Sequence, residues 1–98
     1  MNKSRRKQIS EATGKLQEAI NIIEKAKSIL ETAKDEEQEY IDNMPESLQS
    51  SDKASTAENA VSELDNADSS LQEAIDSCES IVTNLEEAVG NAENASND

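Results

Sequence analysis

Ile9, Leu16, Ile23 and Leu30 stand seven residues apart, and Met44 rejoins the series after Glu37 interrupts it. Ala12, Ala19, Ala26 and Ala33 repeat with the same period, and Tyr40 ends that second series. Ile20 and Ile41 lie one place away. Apolar residues that return every seven positions keep one face of an α-helix turned towards a partner helix. The device recurs further on. Leu64, Leu71, Cys78 and Leu85 form one stripe; Ala60, Ala67, Ala74, Ile81 and Ala88 form the next; Val61, Ile75, Val82 and Val89 widen it. Two long helices are the structure this spacing allows.

Between the two runs lies the only proline, Pro45, in the stretch Asp42 to Ser51. Proline lacks an N–H and disfavours helical dihedrals at the residue before it, here Met44. Ser47, Ser50, Ser51 and Asp52 follow, side chains that compete with helical backbone bonds and make good N-caps. Ser55-Thr56-Ala57-Glu58 reads as a capping box. Gly14 interrupts the first pattern, at a cost of about 1 kcal/mol relative to alanine, and Gly90 reads as a C-terminal stop. The expected fold is all-α: one domain, a long antiparallel helical hairpin. Helix 1 is expected over about 5–42, the bend over 43–53, helix 2 over about 55–90 and a polar tail over 91–98. Each helix would be about 50 Å long at 1.5 Å per residue. Alanine every seven residues would let the helices approach closely, with Leu and Ile on the flanks. The third stripe (Ile20, Ile41, Val61, Ile75, Val82, Val89) then exceeds what a two-helix contact needs. It predicts that hairpins pair into a four-helix bundle or a larger homo-oligomer, with a dimer or tetramer expected.

Hydrophobic residues make up only 34% of the 98, and Tyr40 is the single aromatic. Small chains bury a low fraction of their surface, so help from association is expected. One cysteine and no histidine fit a reducing cytosol. No apolar run approaches the roughly 20 residues of a membrane span, and no apolar signal core follows the basic start.

Charge is distributed unevenly. Residues 1–53 hold all nine Lys and Arg against eleven Asp and Glu, whereas residues 54–98 hold eleven acids and no base. Over most of its surface such a chain is expected to repel nucleic acid, and neither a nucleic-acid nor a membrane partner is expected.

Little here points to catalysis. Histidine is absent, no serine sits in a nucleophile elbow, and there is no Gly-rich phosphate loop. The expectation is no enzyme and no cofactor. Asp65-Asn66-Ala67-Asp68-Ser69 superficially matches a calcium loop but lacks its glycine and lies inside a helical heptad, so no metal site is expected. Cys78 stands in a core stripe, where a small buried apolar residue is the ordinary role.

Two features could carry binding. Arg5, Arg6 and Lys7 form a basic cluster whose Arg forks suit phosphate; ordinary pairing with Glu86, Glu87 and the end of helix 2 is the plainer role. Tyr40 closes the Ala stripe before the bend, either plugging the hairpin core or offering its ring for stacking. Within one hairpin, Arg5 and Tyr40 are expected at opposite ends. In an antiparallel assembly, Arg5, Arg6 and Lys7 of one protomer would meet Tyr40, Asn43 and Ser47 of another.

The basic opening Ser4 to Lys7, the segment Asp35 to Gln49 across the bend and the acidic second helix together resemble the small acidic helical proteins of bacteriophages and prophages. That resemblance covers most of the chain. Small oligomeric phage proteins of this general size include sponges that sequester cyclic nucleotide immune signals, of the anti-CBASS and anti-Thoeris classes. What the resemblance implies is a counter-defence protein in the cytoplasm of an infected bacterium, without turnover. Arg5, Arg6 and Lys7 would hold phosphates, Tyr40 would stack on a base, and the Asn43–Ser47 bend would add polar contacts. The alternative is an acidic DNA mimic that blocks a nuclease or another basic host protein through helix 2. In that case, neutralising Glu63, Asp68, Glu73 and Asp76 should abolish activity. A purely structural bundle is the third possibility.

Overall fold

The computed structural model describes the backbone of residues 1–97 and the side-chain surroundings of residues 1–92. Two helices account for nearly all of it: α1, Lys3–Asp42, and α2, Asp52–Asn97, with a 3-10 turn at Glu46–Leu48. No strand occurs among the described residues. Contacts divide the chain into two compact units. The terminal unit comprises Met1–Ile23 and Glu73–Asp98, and the bend unit comprises Glu24–Gln72.

α1 begins two residues earlier than its sequence pattern indicates because Asn2 caps it. The Asn2 Oδ1 accepts the Arg5 N–H at 2.8 Å, and the Asn2 carbonyl accepts the Arg6 N–H. At the other end the Asn43 N–H reaches the Glu39 carbonyl and the Met44 N–H reaches that of Ile41, a tightened last turn before Pro45. The bend then satisfies itself. Leu48 N–H bonds to the Pro45 carbonyl at 2.8 Å, Gln49 N–H to Glu46 and Ser51 N–H to Leu48, while Gln49 Nε2 donates to the Met44 carbonyl at 3.1 Å. Few polar backbone groups are left to orphan.

α2 starts at Asp52, so the connection ends at Ser51 and not at residue 53. Of the capping candidates Ser51 takes the role: its Oγ accepts the Ala54 N–H at 3.3 Å and donates to the Leu48 carbonyl. Ser55-Thr56-Ala57-Glu58 therefore lies inside the helix and caps nothing. Asp52 in the first turn complements the helix dipole. Gly90 does not stop α2 either. No glycine has a positive φ, and the helix continues to Asn97, through residues expected as a polar tail. A glycine terminates a helix when it adopts the left-handed conformation, and Gly90 does not.

Within each unit the paired segments meet along a 3–4 alternation. In the bend unit, Ile41, Met44, Ala54 and Ala57 are buried, and Leu30, Val61, Leu64 and Leu71 are half-buried. In the terminal unit, Ile75 and Val82 are buried beside half-buried Ile9, Leu16, Ile20, Leu85 and Val89. The Leu/Ile stripe and the third stripe thus build the seam together. This corrects the expectation that the third stripe is surplus to a two-helix contact. A seam needs two positions per heptad, and Ile41, Ile75 and Val82 supply the second. The Ala stripe sits on the edge of the seam: Ala26, Ala33, Ala60 and Ala67 are half-buried, whereas Ala12 and Ala88 are exposed.

The bend-unit seam also holds charges. Lys27 Nζ lies 3.4 Å from Asp68 Oδ2 and 2.9 Å from Glu31 Oε1, and Lys34 Nζ lies 3.1 Å from Asp65 Oδ1. As the partner in α1 moves back from Lys34 to Lys27, the partner in α2 advances from Asp65 to Asp68, the order of an antiparallel pair. No helix of the described residues is long and apolar enough to cross a membrane.

Candidate functional site

The bend unit presents two grooves that share Tyr40 and Lys53. The larger, about 570 Å³, is lined by Glu37, Tyr40, Asp52, Lys53, Thr56, Ala57 and Ala60. The smaller, about 310 Å³, is lined by Tyr40, Asn43, Met44, Pro45, Leu48 and Lys53. Tyr40 does not plug the core; it is 47% exposed. The seam closes on Ile41 and Met44, one and four positions further along, which turns Tyr40 to the side.

The grooves differ in charge. Two carboxylates, Glu37 and Asp52, line the larger one. The smaller contains no acid and one ammonium, that of Lys53. For an anionic ligand the smaller groove is the better electrostatic fit. Asn43 lines it as expected, but Ser47 does not. Ser47 lies exposed on the 3-10 turn and is not part of that lining. Sequence reasoning did not single out Lys53. The available signal was that it is the last base in the chain.

Arg5, Arg6 and Lys7 belong to the terminal unit. Arg5 and Lys7 are exposed and Arg6 is half-buried. The first turn of α1 contains no acid, so these bases crowd the positive end of their own helix dipole. None makes an ion pair with a described residue, including Glu86 and Glu87. The pairing expected with those glutamates is therefore not formed.

The seam charges are held by one another. The hydrogen bond from Lys27 keeps the Glu31 carboxyl below its ordinary value, and Glu31 and Asp68 raise the Lys27 ammonium. Asp65 raises Lys34. Asp68 Oδ1 is buried without a hydrogen-bond partner. Asp65 and Asp68 are thus helical residues paired with lysines, not members of a calcium loop. No cluster of three metal-ligating side chains occurs among the described residues. Cys78 is a free, half-buried thiol in the seam of the terminal unit.

Compared with known protein families, curated proteins and solved structures, the chain matches none.

Proposed function

We propose that this chain is a non-enzymatic, homo-oligomeric binding protein of the phage counter-defence kind, which sequesters a cyclic nucleotide immune signal in pockets between protomers, in the cytoplasm of the infected cell. One observation carries the reading. On a chain of net charge −13, the groove of Tyr40, Asn43 and Lys53 has no acid in its lining. The Tyr40 ring offers a stacking face worth about 1–3 kcal/mol per base, Asn43 offers an amide to a base edge, and Lys53 offers a charge to phosphate. Arg5, Arg6 and Lys7 of a second protomer complete the phosphate clamp with bidentate forks. An excess of protein then lowers the free signal by mass action.

Thermal unfolding with a panel of cyclic di- and trinucleotides and cyclic ADP-ribose isomers tests this. A ligand at 100 times its dissociation constant adds about 2.7 kcal/mol to the folded state. The shift is expected with one signal class. Arg5→Glu with Arg6→Glu, and separately Tyr40→Ala, should remove it; Tyr40 is exposed, so Tyr40→Ala should leave the unliganded transition within about 0.5 kcal/mol of wild type. A protein indifferent to every nucleotide ends the proposal.

An acidic DNA mimic remains the second reading, on the observation that Glu63, Glu73 and Glu79 of α2 are all exposed. Their joint change to Gln should then abolish binding to a basic protein partner. Asp68 is unsuitable for that test because it is a seam residue paired with Lys27.

A further inference from the structure

Two of the largest apolar side chains in α1 lie in water. Ile22 is 66% exposed and Ile29 is 68% exposed. They belong to a seven-residue series of their own, Lys15, Ile22, Ile29, Glu36. The neighbouring series on the same helix is the Ala stripe, with Ala19, Ala26 and Ala33 at 3–4 spacings from the isoleucines. Residues three and four apart share a helix face, so α1 carries a second apolar strip beside the one it uses in the seam. Single exposed isoleucines need no explanation, but a strip with coiled-coil spacing does.

We infer that this strip is where a second copy of the chain packs, α1 against α1 and antiparallel. Three observations favour a second copy over a foreign partner. First, the series is self-complementary. Lys15 lies seven residues before Ile22, and Glu36 lies seven residues after Ile29. An antiparallel two-fold that sets Ile22 of one copy against Ile29 of the other therefore also sets Lys15 against Glu36, twice. Second, Ala26 between the isoleucines, with Ala19 and Ala33 on either side of them, leaves room for close approach, and a second copy brings the same period. Third, charge chooses the helix. α1 holds eight bases against nine acids, whereas α2 holds one base against eleven acids. Association through α1 joins the nearly neutral helices and keeps the strongly acidic ones outside, where their mutual repulsion is screened. Lys15 is available for the exchange: its 3.7 Å contact with Glu18 joins two largely exposed side chains, a pairing of small worth.

The inference deepens the inter-protomer reading above, since it pairs α1 of one copy antiparallel with α1 of another. It does not depend on any ligand.

Sedimentation equilibrium of the full chain tests it. The wild type is expected as a multiple of 10.6 kDa. Ile22→Lys with Ile29→Lys should weaken association by about 100-fold or more, given the apolar surface returned to water. If helicity falls in that variant, the charge pair decides. Lys15→Glu should weaken association, and adding Glu36→Lys should restore it. A wild-type monomer at high concentration, an unchanged mass for the double-lysine variant, or a failure of Glu36→Lys to rescue would each overturn the assignment. The two readings fail separately. An oligomer that dissociates as predicted but binds no nucleotide sinks the sponge alone. Nucleotide binding by an oligomer insensitive to the Ile22 and Ile29 changes sinks this interface alone.

Discussion

Lys27 Nζ stands 3.4 Å from Asp68 Oδ2 across the seam of the bend unit, at two positions where the heptad calls for apolar residues. The pair is half-buried, and Asp68 Oδ1 has no hydrogen-bond partner. Polar residues at seam positions are best known for setting register at a cost in stability. Lys27→Leu alone should lower the urea midpoint, because it leaves the Asp68 carboxylate in the seam without its counter-charge. Lys27→Leu together with Asp68→Leu should raise the midpoint above wild type. A double variant less stable than the single one would mean that the pair stabilises outright.

The ion pairs set a pH window. Glu31 titrates below its ordinary 4.5, so its contribution is complete above about pH 4.5 and is lost as pH falls through the lowered value. Lys27 and Lys34 titrate above 10.5, so theirs is complete below about pH 10.5 and is lost as pH rises beyond it. Between these limits the three groups should contribute no pH dependence. Urea midpoints measured across pH for wild type and Glu31→Gln isolate the acid limb. The difference between the two proteins should shrink below pH 4.5 and stay constant from pH 5 to 9.

Gly14 and Gly90 sit in helix with nothing within 4 Å of where a Cβ would be. Neither has a positive φ. Gly14→Ala and Gly90→Ala should each stabilise by about 0.8–1 kcal/mol through the entropy of the unfolded chain. For a domain of this size that is roughly 4–8 °C in Tm. A Gly14→Ala variant that loses stability would reveal a close neighbour on that face, contributed by another copy.

Ser51 caps α2 through the Ala54 N–H. Ser51→Ala should cost about 1 kcal/mol, whereas Ser51→Asp should keep most of the cap. Ser55→Ala, which removes the side chain of the apparent capping box, should be nearly silent. Thermal denaturation of the three variants checks the assignment.

Much of the fold is legible in the amino acids. Seven-residue spacing of Ile9, Leu16, Ile23 and Leu30 and of Leu64, Leu71 and Leu85 dictates two helices, because only a helix returns side chains to one face with that period. Pro45 dictates where they part. These are local properties of the chain, and local chemistry suffices to read them.

The assignment of faces was not local. Two apolar stripes beside each Leu/Ile stripe are equivalent in the sequence, and either could complete the seam. Packing chose Ile41, Ile75 and Val82 over the alanines, because larger side chains bury more surface and fill the space between helix axes. That choice turned Tyr40 outward, left Ile22 and Ile29 in water and drew Lys27 and Asp68 together. The ends of α2 were decided in the same way. Ser51 caps the helix because the 3-10 turn delivers its hydroxyl to the Ala54 N–H, and Gly90 continues it because its backbone stays right-handed. Two helices, and the place where the chain turns between them, follow from the amino acids alone. Which face each helix buries, and so which residues remain free to meet a ligand or a second copy, depended on the packing of one helix against the other.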